Sequence, residues 1–254
     1  MVTTAQKLRD ARLMASLSVS DLARLAGVSL ATVSRAEAGK VVPSADAYLK
    51  LLSAAGFTDA GDRVERVSHP SALWTARWLL GDLDDEPADA QTWTDAWRRI
   101  RLVGDDRDVP DPESLAFRAG RSAALSARPG AVTALGPVPV LALASTLASA
   151  GVDYAVSGDA ALERLGSTIV PAWPVVYVSA VRPALESLGL SVRLPGEQGP
   201  VVTLLPFDGS SETRRVVADD DVWFVSPLQA VLDGYGGDGR MVEQSEAVVR
   251  SWAR

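Results

Sequence analysis

Apolar residues recur at helical spacing through the first quarter of the chain. Leu22, Leu25 and Ala26 share one helix face behind Ser18, whose hydroxyl suits the first turn, with Asp21 three residues on. Gly27 stops that pattern where a left-handed residue lets the chain turn sharply, and Val28 plugs the turn into the core. Ser29 then caps a second helix predicted over residues 30–38. Val33, Ala36 and Glu37 take its inner side, leaving Leu30, Ala31, Ser34 and Arg35 facing outward. Gly39 ends it, and residues 45–55 give a further amphipathic helix.

The following segment, from Gly56 to Ser68, mixes glycines and charges and reads as a linker or a short helix, and His69 and Pro70 precede the next helix. Two tryptophan-bearing helices come next, SALWTARWLLGD and DAQTWTDAWRRIRLVG, separated by an acidic loop. Trp74 and Trp78 are four apart, as are Trp93 and Trp97, so each pair stacks on one helix face. A base-stacking platform or ligand cage would use such rings, but tryptophan at this spacing is foremost buried area, with the helices packed on each other or across a dimer seam. DDRDVPDPE is a solvated acidic loop, and DPESLAFRAGRSAALSARPG reads as a third amphipathic helix.

From about Val132 the pattern changes. PVPVLALASTLASAG reads as a buried helix ending at Gly151. VDYAVSG is a strand, DAALERLG a helix, WPVVYVSA an alternating strand and VRPALESLG a helix. SVRL, VVTLLPF and VWFV are strand candidates, and SPLQAVLDGYGG and GRMVEQSEAVVRSWAR are closing helices. Strands alternating with helices, then a run of strands, predict an α/β or α+β sheet domain. The fold class is therefore multidomain: an all-α N-terminal domain (residues 1–58), a helical middle region (59–131) and an α/β (α+β) C-terminal domain (132–254).

Two short helices joined by a glycine turn form a helix-turn-helix, whose second helix enters the DNA major groove. Taken whole, DLARLAGVSLATVSRAEAGKVVPS within residues 5–57 resembles the Cro and phage-repressor class, over about a fifth of the chain. The resemblance implies that Ser29, Leu30, Ala31, Ser34 and Arg35 read base edges. Arg35 suits a bidentate pair with guanine, and Leu30 and Ala31 suit thymine methyls. Thr32 and Lys40 suit phosphates. The class often has glutamine where this chain has Val19, which removes one usual polar contact. A packed helical bundle that binds no DNA is the alternative.

Charge is consistent with a reader. Residues 1–58 hold seven basic and four acidic side chains, a net of +3, whereas the chain is −7 and the remainder about −10. An acidic body on a mildly basic head is steered head-first toward phosphate. Affinity then calls for a homodimer on an inverted repeat, since one such module buries little surface. The absence of cysteine excludes disulfides, thiol catalysis and thiolate zinc sites. Nothing at the N-terminus reads as a signal peptide and no apolar run approaches a membrane span, so the expected setting is cytoplasmic, with no membrane partner.

The C-terminal part carries a second resemblance. VDYAVSGDAALERLG resembles the start of the effector domain in AbiEi-type antitoxins, the regulator half of type IV toxin–antitoxin systems linked to phage defence. VSPLQAVLDGYGGDGRMVEQSEAVV is similar to a motif near the end of those proteins. The departure is at the N-terminus, where that family usually carries a winged helix. In this segment Ser226 caps a helix and Pro227 fits its first turn. Leu228, Val231 and Leu232 face inward, and Gly236, Gly237 and Gly239 make the turn into the last helix. Such glycines can form an anion nest, but a plain interhelical turn is the simpler reading.

The strand–SGDAAL–helix arrangement also resembles nucleotidyltransferases, which implies a degenerate form of that fold. The enzyme needs paired carboxylates on the following strand to hold magnesium, and PAWPVVYVSA has none. Asp219, Asp220 and Asp221 cluster beside Trp223 in what reads as a solvated loop, His69 is the sole histidine, and no phosphate-binding glycine motif occurs. No enzyme, catalytic residue, metal or cofactor is expected.

Three functions stay open. One is a dimeric, autoregulating repressor of the antitoxin type, counteracting a nucleotidyltransferase toxin partner without necessarily touching it. The others are a stand-alone regulator sensing a ligand or protein, and a degenerate nucleotidyltransferase that retains nucleotide binding.

Overall fold

Capping chemistry sets the N-terminal elements of the computed structural model, which describes residues 2–136, 139–168, 174–194, 196–218 and 220–252. Four helices form the first unit: α1 (Thr4–Met14), α2 (Val19–Ala26), α3 (Leu30–Glu37) and α4 (Ala45–Ala54). Ser18 and Asp21 close a reciprocal capping box on α2, with the Asp21 amide donating to Ser18 Oγ at 3.0 Å. Gly27 sits at φ 62°, a left-handed turn that a side chain would strain. Leu8, Leu22, Val33, Leu51 and Leu52 are fully buried and make the core of this bundle.

The segment expected as a linker or short helix is instead a β-hairpin, β1 (Phe57–Asp59) and β2 (Val64–Arg66), paired antiparallel. Its turn is fixed by remote groups. Asp59 accepts hydrogen bonds from Lys7 Nζ at 2.8 Å, Tyr48 Oη at 2.9 Å and the Gly61 amide at 2.9 Å. Three-residue strands are too short to show alternation, and Lys7 lies 52 positions away, so composition alone read as a linker.

The middle of the chain supplies α5 (Pro70–Leu79), α6 (Ala90–Arg99) and α7 (Pro112–Arg121). The helix expected over DPESLAFRAGRSAALSARPG ends at Arg121, followed by a short 3₁₀ turn, Leu125–Ala127. The chain leaves the helix because Ala123 bridges to Ser68 and the Ser122 hydroxyl folds back onto the Arg118 carbonyl. Trp93 and Trp97 meet at 5.5 Å between ring centroids. Trp74 and Trp78 diverge: the Trp74 indole donates to Asp208, and Arg107 lies over Trp78.

The remaining elements are β3 (Val132–Leu135), α8 (Val140–Ser149), β4 (Tyr154–Ser157), α9 (Gly158–Arg164), β5 (Pro174–Val178) and α10 (Val181–Leu188). They continue with β6 (Ser191–Val192), β7 (Val201–Pro206), β8 (Val216–Val217), β9 (Trp223–Phe224), α11 (Pro227–Gly236) and α12 (Arg240–Trp252). Among the described residues, seven strands form one mixed sheet in the order β6-β3-β7-β5-β4-β9-β8. β5 runs parallel to β7 and β4 parallel to β9, with the other neighbours antiparallel. β3 and β8 were not expected, being four and two residues long. Asp219 and the start of the PAWPVVYVSA segment lie outside the described residues.

A single core crosses the expected boundary at residues 131/132. Leu73, Leu115 and Ala119 of the middle helices pack with Leu162, Val231, Leu232 and Tyr235. The closest approach is at Gly120 of α7, where an added Cβ would lie 2.4 Å from the Tyr235 Cβ and 2.6 Å from the Leu232 carbonyl oxygen. The helical middle and the sheet region are thereby welded through α11.

Candidate nucleic-acid interface

The seven residues expected to meet DNA lie on α3 and in the loop that follows it. Ser29 is the N-cap: its Oγ accepts the Thr32 amide at 3.1 Å and sits 2.8 Å from the Thr32 hydroxyl. The first turn of α3 is thereby closed by its own side chains. Val33 and Ala36 are buried, which rotates Leu30, Ala31, Ser34 and Arg35 to the solvent side. Leu30 is 55% exposed, on the outward face of α3 beside Ala31 and Ser34. Arg35 is exposed, with its Nε donating to the Ala31 carbonyl at 3.2 Å. Lys40 is exposed beyond Gly39, and Thr32 is half-buried. Val19, at the start of α2, packs against the bundle core.

Groups that sequence reasoning missed hold this helix in place. Arg12 of α1 donates from Nε to Glu37 Oε1 at 2.7 Å, from Nη2 to Glu37 Oε2 at 3.0 Å, and from Nη1 to the Leu17 carbonyl at 2.9 Å. Glu37 was expected on the inner face, but its partner lies 25 positions away and left no local signal. The C-terminal end of α1 is gripped in turn by α7. Arg118 donates to the carbonyls of Ala15 and Ser16 at 2.6 and 2.8 Å, and Arg121 to that of Met14 at 3.0 Å. Cations at the negative end of a helix dipole are favourable, so the body orients the reader through its first helix.

The two C-terminal segments singled out in the sequence meet in a buried polar network. Asp233 of α11 accepts from Ser157 Oγ at 2.5 Å, Gln229 Nε2 at 2.7 Å, Tyr177 Oη at 3.1 Å and Arg128 Nη2 at 2.7 Å. Gln229 accepts from Arg77, which also donates to Asp82 at 2.6 Å, and Ser226 donates to the same Asp82 carboxylate at 2.7 Å. Burial above all pushes the Tyr177 phenol well up, so it stays a neutral donor. Ser157, Arg77 and Asp233 are fully buried, which makes this a structural knot with every named carboxylate satisfied. Asp220 and Asp221 are exposed and take no part in it. Among the described residues, no cluster of three or more histidine or acidic side chains is placed to hold a metal ion. Nor is any described helix long and apolar enough to cross a membrane.

The helix-turn-helix domain family matches residues 5–66, and the chain therefore carries a DNA-binding helix-turn-helix domain at its N-terminus. The match takes in the hairpin, in keeping with its packing on α1 and α4. It is followed by the mixed helix and sheet region. No curated protein and no solved structure matches the chain.

Proposed function

We propose that this protein is a sequence-specific transcriptional repressor that reads an operator through Ser29, Leu30, Ala31, Ser34 and Arg35, with Thr32 and Lys40 on phosphates. The observation that carries it is the outward face of α3, where Leu30 and Arg35 are exposed behind a self-closed N-cap in the second helix of a helix-turn-helix. One module of this size buries little DNA surface, so the binding species is a homodimer on an inverted repeat.

The proposal extends to an autoregulating antitoxin of the AbiEi type, acting against a nucleotidyltransferase toxin. In its favour, the SGDAAL and SPLQ segments that carry the resemblance are brought together by Ser157, Gln229 and Asp233. The β4–α9–β5 unit suits a degenerate nucleotidyltransferase-like arrangement. Catalysis by this chain is not proposed, because PVVYV of β5 offers no carboxylate and its Tyr177 hydroxyl is committed to the buried network.

Footprinting of the full-length protein on DNA upstream of its own gene tests the reading. A protected inverted repeat, lost in Arg35→Ala, supports an autoregulating repressor; no protection at low salt rejects it. A neighbouring nucleotidyltransferase gene supports the antitoxin assignment, and its absence favours a stand-alone regulator.

A further inference from the structure

The reader and the body enclose a cleft of about 700 Å³, within the range of small-molecule sites. Its reader side includes Lys50 of α4, and its body side includes His69, Ser71, Trp93 and Arg99. Trp93 is half-buried and fixed as a wall. Its indole donates to Ser71 Oγ at 2.9 Å, and the ring is flanked by His69 at 5.6 Å and Trp97 at 5.5 Å. Burial lowers the His69 pKa, so at neutral pH this wall is aromatic and uncharged.

The charges around the cleft are unequal in their commitments. Asp95 is already bound to Arg98 at 2.9 Å and Gln91 at 2.7 Å. Lys50 and Arg99 make no ion pair or side-chain hydrogen bond among the described residues, and Asp89 at the rim is likewise unpaired. Two uncommitted cations against one uncommitted carboxylate leave room for a single negative charge.

We infer that this cleft binds a small aromatic monoanion, its ring against Trp93 and its anionic group bridging Lys50 of the reader and Arg99 of the body. A ligand held from both sides selects one angle between them. Residues Leu25 and Ala26 of α2 also line the cleft, so that angle sets where α3 meets DNA. The regulatory consequence rests on the DNA-reading proposal; the binding does not.

Equilibrium dialysis of the full-length protein with 1-naphthoate, compared with neutral 1-naphthylmethanol, tests the site. One saturable site per chain is expected, with the neutral probe binding about tenfold more weakly, as loss of a charge-assisted contact implies. Lys50→Gln and Arg99→Gln, both on exposed side chains, should each weaken naphthoate by a similar factor while leaving the thermal transition in place. Absence of saturable binding at millimolar probe overturns the site, as does binding indifferent to both variants. Naphthoate binding by a protein that protects no DNA would sink the repressor reading and leave the site standing. Protection of DNA without naphthoate binding would do the reverse.

Discussion

Arg12 and Glu37, 25 positions apart, form a two-point ion pair that ties the first helix to the end of the reading helix. Both side chains are largely buried, at 12% and 9% exposure, so the pair is shielded from water and salt. Removing one partner leaves the other charge desolvated and alone. Glu37→Ala should therefore lower stability by roughly 2–3 kcal/mol, and Arg12→Ala by a similar amount. Denaturant unfolding of the singles and the double checks this: additive losses would show that the two side chains do not act as a unit.

Arg35 should confer sequence preference. Arg35→Ala is expected to cost roughly 1–3 kcal/mol on the operator and to relax preference at one base pair. Binding titrations on the operator and on scrambled DNA separate the cases, since equal losses on both would remove Arg35 from the base-reading set.

Lys40 should behave differently. A phosphate contact weakens binding to every sequence, and Lys40→Ala should flatten the slope of log affinity against log salt by about one unit. An unchanged slope means that Lys40 touches no phosphate.

Gly120 sets the distance between α7 and α11. Alanine is favoured over glycine in a helix by roughly 1 kcal/mol. Here its methyl would meet a carbonyl oxygen at 2.6 Å, and backbone cannot swing aside. Overpacking of this kind costs about 1–3 kcal/mol, so Gly120→Ala should be net destabilising. A raised midpoint in thermal unfolding would show that the two helices are further apart.

His69 gives a pH handle, being the only histidine in the chain. Burial holds its pKa below the ordinary 6.5, so the unfolded chain takes up the proton more readily than the folded one. Its contribution favours folding fully above the unfolded pKa and is lost as pH falls from there through the folded pKa. NMR titration of the imidazole should place its midpoint below 6.5, with stability declining over the same interval. In His69→Gln that part of the decline should vanish.

The reader was largely legible because its determinants are local. Ser18 and Asp21 close a box within one turn, Gly27 takes a left-handed φ, and Val33 and Ala36 fix which face of α3 turns outward. The strand–helix alternation from Tyr154 to Leu188 was legible for the same reason, since period and turn residues are written within each segment. Tertiary structure alone decided the rest. The hairpin at Phe57 depends on Lys7 and Tyr48, and the seating of α3 depends on Arg12. The join between middle and sheet regions depends on Gly120 against Tyr235, and the knot around Asp233 draws on residues from positions 77 to 233. Backbone preference acts over a turn or two and leaves a local pattern. A hydrogen bond or packing contact between distant positions leaves none until the chain has folded.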